Sequence, residues 1–182
     1  MEYYTKIARG TPEDLLESPE HITMAARTYM AHRQVKIGKS SAAERIYRRL
    51  VKELASSTND GKDCDCDFGR LAIPTLLLAL LLQREKRPDQ ARAVFESFYD
   101  MVVTERGIKC SCSARVMQAF ALFEMKQENP LRAVEIVFLA IRLDKKVRPV
   151  LKWKQFRTAL ALREQTRLGR RRDWQQQQPT PV

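Results

Sequence analysis

The sequence predicts an all-α chain made of successive helical hairpins. Three observations predict it. Apolar residues recur at three- and four-residue spacing, with almost no alternating apolar–polar runs. Glycine and proline are scarce, 6 and 8 of 182 residues, and fall mostly between the periodic segments. Large and small side chains also return together at fixed offsets along the chain. The length suits one domain, or one repeat array, with a sizeable core.

Residues 1–18 form a lead-in. Thr11-Pro12-Glu13-Asp14 offers a capping hydroxyl, a first-turn proline and early acids, and Ser18-Pro19-Glu20 repeats that signal. A helix is expected from there to about Lys36, with Ile22, Ala25, Ala26, Tyr29 and Met30 inward, broken by Gly38-Lys39-Ser40. A second, Ala42 to about Ala55, turns Ala43, Ile46, Tyr47, Leu50 and Val51 inward. Ser56 to Asp67 is polar and acidic, and reads as a surface loop.

The organising stretch is Pro74 to Val103. Its first helix, Leu76 to Leu82, is apolar almost all round and must be buried. It is too short to span a bilayer, so no transmembrane segment is expected. Pro88 sits where a second helix starts, with Ala91, Val94, Phe95, Phe98 and Val102 on one face. Gly107 is a candidate C-terminal cap. A third hairpin follows: Ala114 to Gln127, a bend at Glu128-Asn129-Pro130, then Leu131 to Asp144 with Ala133, Ile136, Val137, Ala140 and Ile141 inward. Beyond Pro149 a last helix, to about Leu168, buries Leu151, Phe156 and Leu160. The remaining residues, 171–182, have nothing to bury and are expected to be disordered.

The charge of +11 is concentrated at one end. Lys145 to Arg172 holds eleven Lys or Arg against one acid, Glu164, a net of +10. Lys152, Lys154, Arg157, Arg163, Arg167, Arg170, Arg171 and Arg172 form the expected surface for an anionic partner, interleaved with Trp153, Phe156 and Trp174. Nucleic acid, an acidic protein and an anionic lipid surface all fit such a stripe, as does a plain solvated face on a capping helix.

Cys64-x-Cys66 and Cys110-x-Cys112 lie 46 residues apart in two inter-hairpin segments. Reduced thiols are the first expectation, a structural zinc site on the four sulfurs the second, and disulfides the last. No other cofactor is implied. The two histidines, His21 and His32, suggest no nucleophile–base set, and there is no phosphate-binding loop of the GxxxxGK[ST] type. A non-enzymatic role is expected. Met1-Glu2-Tyr3-Tyr4 lacks a basic start and an apolar core. An intracellular location, cytoplasmic or organellar, is therefore expected.

The recurrence is clearest when Ala43, Ala91 and Ala133 are aligned. Four residues later stand Tyr47, Phe95 and Val137; twelve earlier stand Ala31, Ala79 and Ala121, preceded by Met30, Leu78 and Phe120. Small residues let the helices of a hairpin approach closely, and the large ones fill the space between hairpins. The pattern resembles the tetratricopeptide repeat (TPR) family. Gly38 matches the family's turn glycine, and Ala140 to Asp144 its repeat ending, with Lys145 where a proline is usual. The anchors recur after 48 and 42 residues, longer than the family's unit, and the first-helix Trp and Tyr are missing. The resemblance implies an α-solenoid of three hairpins, residues 19–57, 68–106 and 113–145, closed by a basic capping helix over 146–170.

The resemblance further implies a peptide-binding groove lined by first helices. It would show Ala25, Thr28, His32 and Lys36, then Ile73, Leu76, Leu80 and Arg84, then Arg115, Gln118, Leu122 and Lys126. Lys36, Arg84 and Lys126 share one register position and would form a basic rim beside an apolar floor. The implied function is an adaptor or assembly subunit that docks partner segments in a multi-subunit complex. The alternative is an RNA-associated component, for instance of an organellar ribosome, that uses its basic C-terminal helix.

Overall fold

The computed structural model describes residues 19–57, 65–104 and 111–176. All regular structure there is helical. Helices α1 (Pro19–Lys36) and α2 (Ser40–Ser57) form the first hairpin, α3 (Asp65–Arg84) and α4 (Pro88–Thr104) the second, and α5 (Ser111–Lys126) and α6 (Pro130–Leu143) the third. A 3-10 helix (Lys145–Lys152) then leads into α7 (Lys154–Gln176). Each helix from α1 to α6 packs on the next; α3 also packs on α5, and α6 is covered by the 3-10 helix and α7.

The three hairpins turn in the same way. Gly38, Lys86 and Glu128 each adopt the left-handed conformation, with φ of 80°, 57° and 60°. The N–H of each donates to a carbonyl three residues back (Val35, Gln83, Met125), and the next N–H to one five residues back (Gln34, Leu82, Glu124). This double closure satisfies carbonyls that a helix end leaves open. The second helix of each hairpin starts two residues beyond, at Ser40, Pro88 or Pro130. Proline suits that place, because its missing N–H would have had no partner.

The recurring small residues are fully buried: Ala31, Ala43, Ala79, Ala91, Ala121 and Ala133 all have no exposed surface. Tyr47, Phe95, Val137, Leu78 and Phe120 are buried beside them. The centre is aromatic. The rings of Phe95 and Phe120 stack with centroids 5.1 Å apart, and Phe123 lies 5.6 Å from Phe95. Each such buried side chain contributes about 1.5–3 kcal/mol relative to exposure.

Three expectations are corrected. In α1 the inward stripe is rotated: Thr28 and Ala31 are buried, whereas Ala26 is exposed and Tyr29 and Met30 are 68% and 55% exposed. Met30 has the register of Leu78 and Phe120, which pack between hairpins; among the described residues no hairpin precedes α1 to cover it. Next, α3 begins at Asp65, inside the stretch Ser56 to Asp67 expected to be a loop, and Pro74 lies within the helix. The Thr75 hydroxyl donates to the Leu71 carbonyl at 2.8 Å within that disturbed turn. Finally, α7 continues to Gln176, past the residue-171 start of the expected disorder. Arg and Gln are good helix formers, so absence of an apolar face does not by itself end a helix. Gly107 and residues 1–18 lie outside the described residues.

Candidate functional site

Ion pairs join the hairpins. Glu44 on α2 accepts from Arg87, in the turn of the second hairpin, at 2.7 and 3.2 Å, and from Arg48 at 2.9 Å. Arg48 and Arg87 both donate to Gln90 as well. The Arg87 guanidinium holds the Glu44 carboxyl below the usual carboxylate range, against an opposing push from burial. One hairpin on, Arg92 of α4 donates to Glu124 of α5 at 2.8 Å, and the Asn129 amide donates to Glu124 at 2.8 Å. The Glu124 side chain is 3% exposed. Its bond to Arg92 raises the guanidinium's pKa above its ordinary range. Glu44 and Arg92 occupy the same register 48 residues apart, so the sign of the connecting pair is reversed between the two junctions. No pattern of apolar spacing signals either pair; only three-dimensional proximity does.

The expected groove residues lie on α1, α3 and α5. On α3, Ile73 and Leu76 are half-buried, Leu80 is 47% exposed and Arg84 is exposed. On α5, which packs against α3, Gln118 and Leu122 are half-buried and Arg115 and Lys126 are exposed. On α1, Ala25 is half-buried and His32 and Lys36 are exposed; Thr28 is buried, and its hydroxyl has no partner among the described residues. Thr28 is therefore part of the packing rather than of a surface. Lys36, Arg84 and Lys126 are each the last residue of their helix, where a cation also complements the helix dipole.

A cleft that the sequence did not announce lies on the other side of α3. It has a volume of about 510 Å³ and runs between α2 and α4, with Thr75 and Leu78 from α3. Val51, Ala55, Ala93, Val94, Phe98 and Met101 supply most of its walls, and Arg48, Lys52 and Gln90 its polar edge. Leu78 stands two positions from Leu76 and hence on the opposite side of the helix.

At the basic end, Phe156 and Ala159 are buried and Leu151 and Leu160 half-buried. Phe156 thus lies on the inner side of the last helix, as its spacing with Leu160 implies, and is unavailable for stacking on a ligand. Lys152, Lys154 and Arg157 are exposed. Arg163 lies 5.0 Å over the Phe138 ring, and Arg167 reaches Glu164 at 3.5 Å. The side chains of Arg170, Arg171, Arg172 and Trp174 lie outside the described residues. Lys145, Lys146 and Arg148, which open the basic span, are exposed on the 3-10 helix and adjoin this surface.

Of the four cysteines, only the side chain of Cys112 is described, and it is exposed; Cys64 and Cys110, and the Cys66 side chain, lie outside the described residues. Among the described residues no cluster of His, Cys, Asp and Glu is placed to hold a metal, and no helix is long and apolar enough to cross a membrane.

No family model, curated protein or solved structure matches this chain.

Proposed function

We propose that this chain is a non-enzymatic adaptor or assembly subunit, built as a divergent TPR-like solenoid of three hairpins and holding an amphipathic, acidic segment of a protein partner on its first helices. Buried anchors at a shared register and three turns of one geometry support the solenoid reading. The observation that carries the functional reading is the row Ile73, Leu76 and Leu80 on α3. It is left partly open on an otherwise buried apolar helix and ends in a cation. Leu80 leaves 47% of its surface open to solvent. Leu122 continues the apolar strip onto α5, and Arg84 and Lys126 give one end a positive charge. An amphipathic helix with acids toward one end complements that surface in both apolarity and sign.

Site-specific photo-crosslinking tests the proposal. A benzophenone side chain at Leu80 or Leu122 is expected to capture a discrete partner in cells. The same group at Glu135, an exposed position on α6, should not capture it. Equal capture from all three positions would refute the assignment of this face.

A further inference from the structure

We propose that the 3-10 helix and the first turns of α7 bind single-stranded nucleic acid, with the phosphates on its cations and a base stacked on Trp153. This is independent of the adaptor reading and uses a different surface. Lys145, Lys146, Arg148, Lys152, Lys154 and Arg157 fall within 13 residues and are all exposed. None is ion-paired to a carboxylate among the described residues; the ion pair described on α7 lies further along, between Arg167 and Glu164. The nearest acid, Asp144, is occupied as a cap, accepting from the Lys146 N–H at 2.8 Å.

The placement works against the fold. α7 has no acid in its first turn, where a negative charge would complement the dipole, and instead begins with Lys154 and carries Arg157 one turn on. Cations there serve stability poorly and an anion well. Trp153 stands among them, 47% exposed, at the junction of the two helices.

The burial pattern separates nucleic acid from membrane. A helix that lies on lipid must turn an apolar face outward. Here that face is spent: Val147, Val150, Phe156 and Ala159 are buried, and α6 packs against both helices. What remains outward from Lys145 to Thr158 is six cations, Trp153, and Pro149, Gln155 and Thr158, while the exposed Leu162 lies further along α7; charge around an indole suits a polyanion with flat, stackable groups.

The test uses the full chain and a mixed-sequence single strand of about 16 nucleotides, made as RNA and as DNA. The wild type should bind, with a logarithmic salt slope of up to about −4 if all six cations engage, so that a fourfold rise in salt weakens binding about 10²-fold. Replacing Lys152, Lys154 and Arg157 together with Gln should lower the slope by about 2. Trp153→Leu should weaken binding roughly tenfold with the slope unchanged. Leu80→Lys should leave all of this intact, which keeps the result separate from the fate of the adaptor reading. Circular dichroism of each variant checks that the fold is retained. Tighter binding of RNA than DNA would place a 2′-hydroxyl contact in the site, and equal binding would limit recognition to phosphate and base; both support the proposal. It is overturned if neither strand binds, if Trp153→Leu binds as tightly as wild type, or if polyglutamate or phosphatidylserine vesicles bind as well as the single strands.

Discussion

Replacing Glu128 with glycine should stabilise this protein, and the size of the gain follows from the turn geometry. Glu128 sits at φ 60°, a conformation that costs a residue with a Cβ about 1–2 kcal/mol. Glycine removes that cost but brings about 0.5–1 kcal/mol of extra chain entropy to the unfolded state. The substitution also removes an acid from beside the C-terminus of α5, where negative charge is unfavourable by about 0.3–1 kcal/mol. The net gain is therefore about 1 kcal/mol. Lys86 at φ 57° follows the same arithmetic with the opposite charge term, because a cation after the end of α3 is favourable. Lys86→Gly should therefore gain no more than about 0.5 kcal/mol. Gly38 is the inverse control. A Cβ added there would meet nothing within 4 Å, so Gly38→Ala isolates the backbone cost and should lose about 0.5–1 kcal/mol. Urea titration of the three variants resolves differences of this size as midpoint shifts at constant slope. If Glu128→Gly were destabilising, or Gly38→Ala neutral, the three turns would not share one left-handed geometry.

The inter-hairpin ion pairs give two further predictions. Arg92→Met leaves Glu124 buried beside a single amide donor and should cost about 3 kcal/mol, whereas Glu124→Gln leaves a 30%-exposed Arg92 that water can reach and should cost about 1 kcal/mol. Equal losses on denaturation would refute that asymmetry. Because its pKa is depressed in the folded state, Glu44 contributes stability that is present above the ordinary carboxylate range and lost as pH falls through the folded value. Glu44→Gln should thus lower the melting temperature at neutral pH and converge with wild type in acid; a difference constant with pH would contradict the pairing with Arg87.

Among the described residues, the order and pairing of the six hairpin helices were legible because periodicity and punctuation agree. Pro88 and Pro130 mark starts, and the register from Ala43 to Ala91 to Ala133 marks equivalent inner positions. The α1 face was misjudged because apolar residues lie all round that helix, so Tyr29 and Met30 looked as buriable as Ala31. Lys86 and Glu128 were invisible as left-handed turn residues, since neither lysine nor glutamate announces that conformation as glycine does. On the face expected to form a groove, register was enough to place Leu80, Arg84, Leu122 and Lys126 on adjacent helices. It could not show that Thr28 closes over, which depends on how α1 rotates against α2. At the basic end, composition located the charge and spacing placed Phe156 inward, but only packing showed that Trp153 faces out.

The central claim is that the open face of α3 and α5 holds a protein partner. Quantitative mass spectrometry of proteins co-purifying with the wild type, with Leu80→Lys, and with the Lys152/Lys154/Arg157 glutamine variant tests it most directly. Leu80 is exposed enough that lysine there leaves the fold intact. A defined protein should be enriched on the wild type, lost from Leu80→Lys and retained by the variant lacking the α7 charges. Retention of that protein by Leu80→Lys, or its loss only with the charges, would contradict the account.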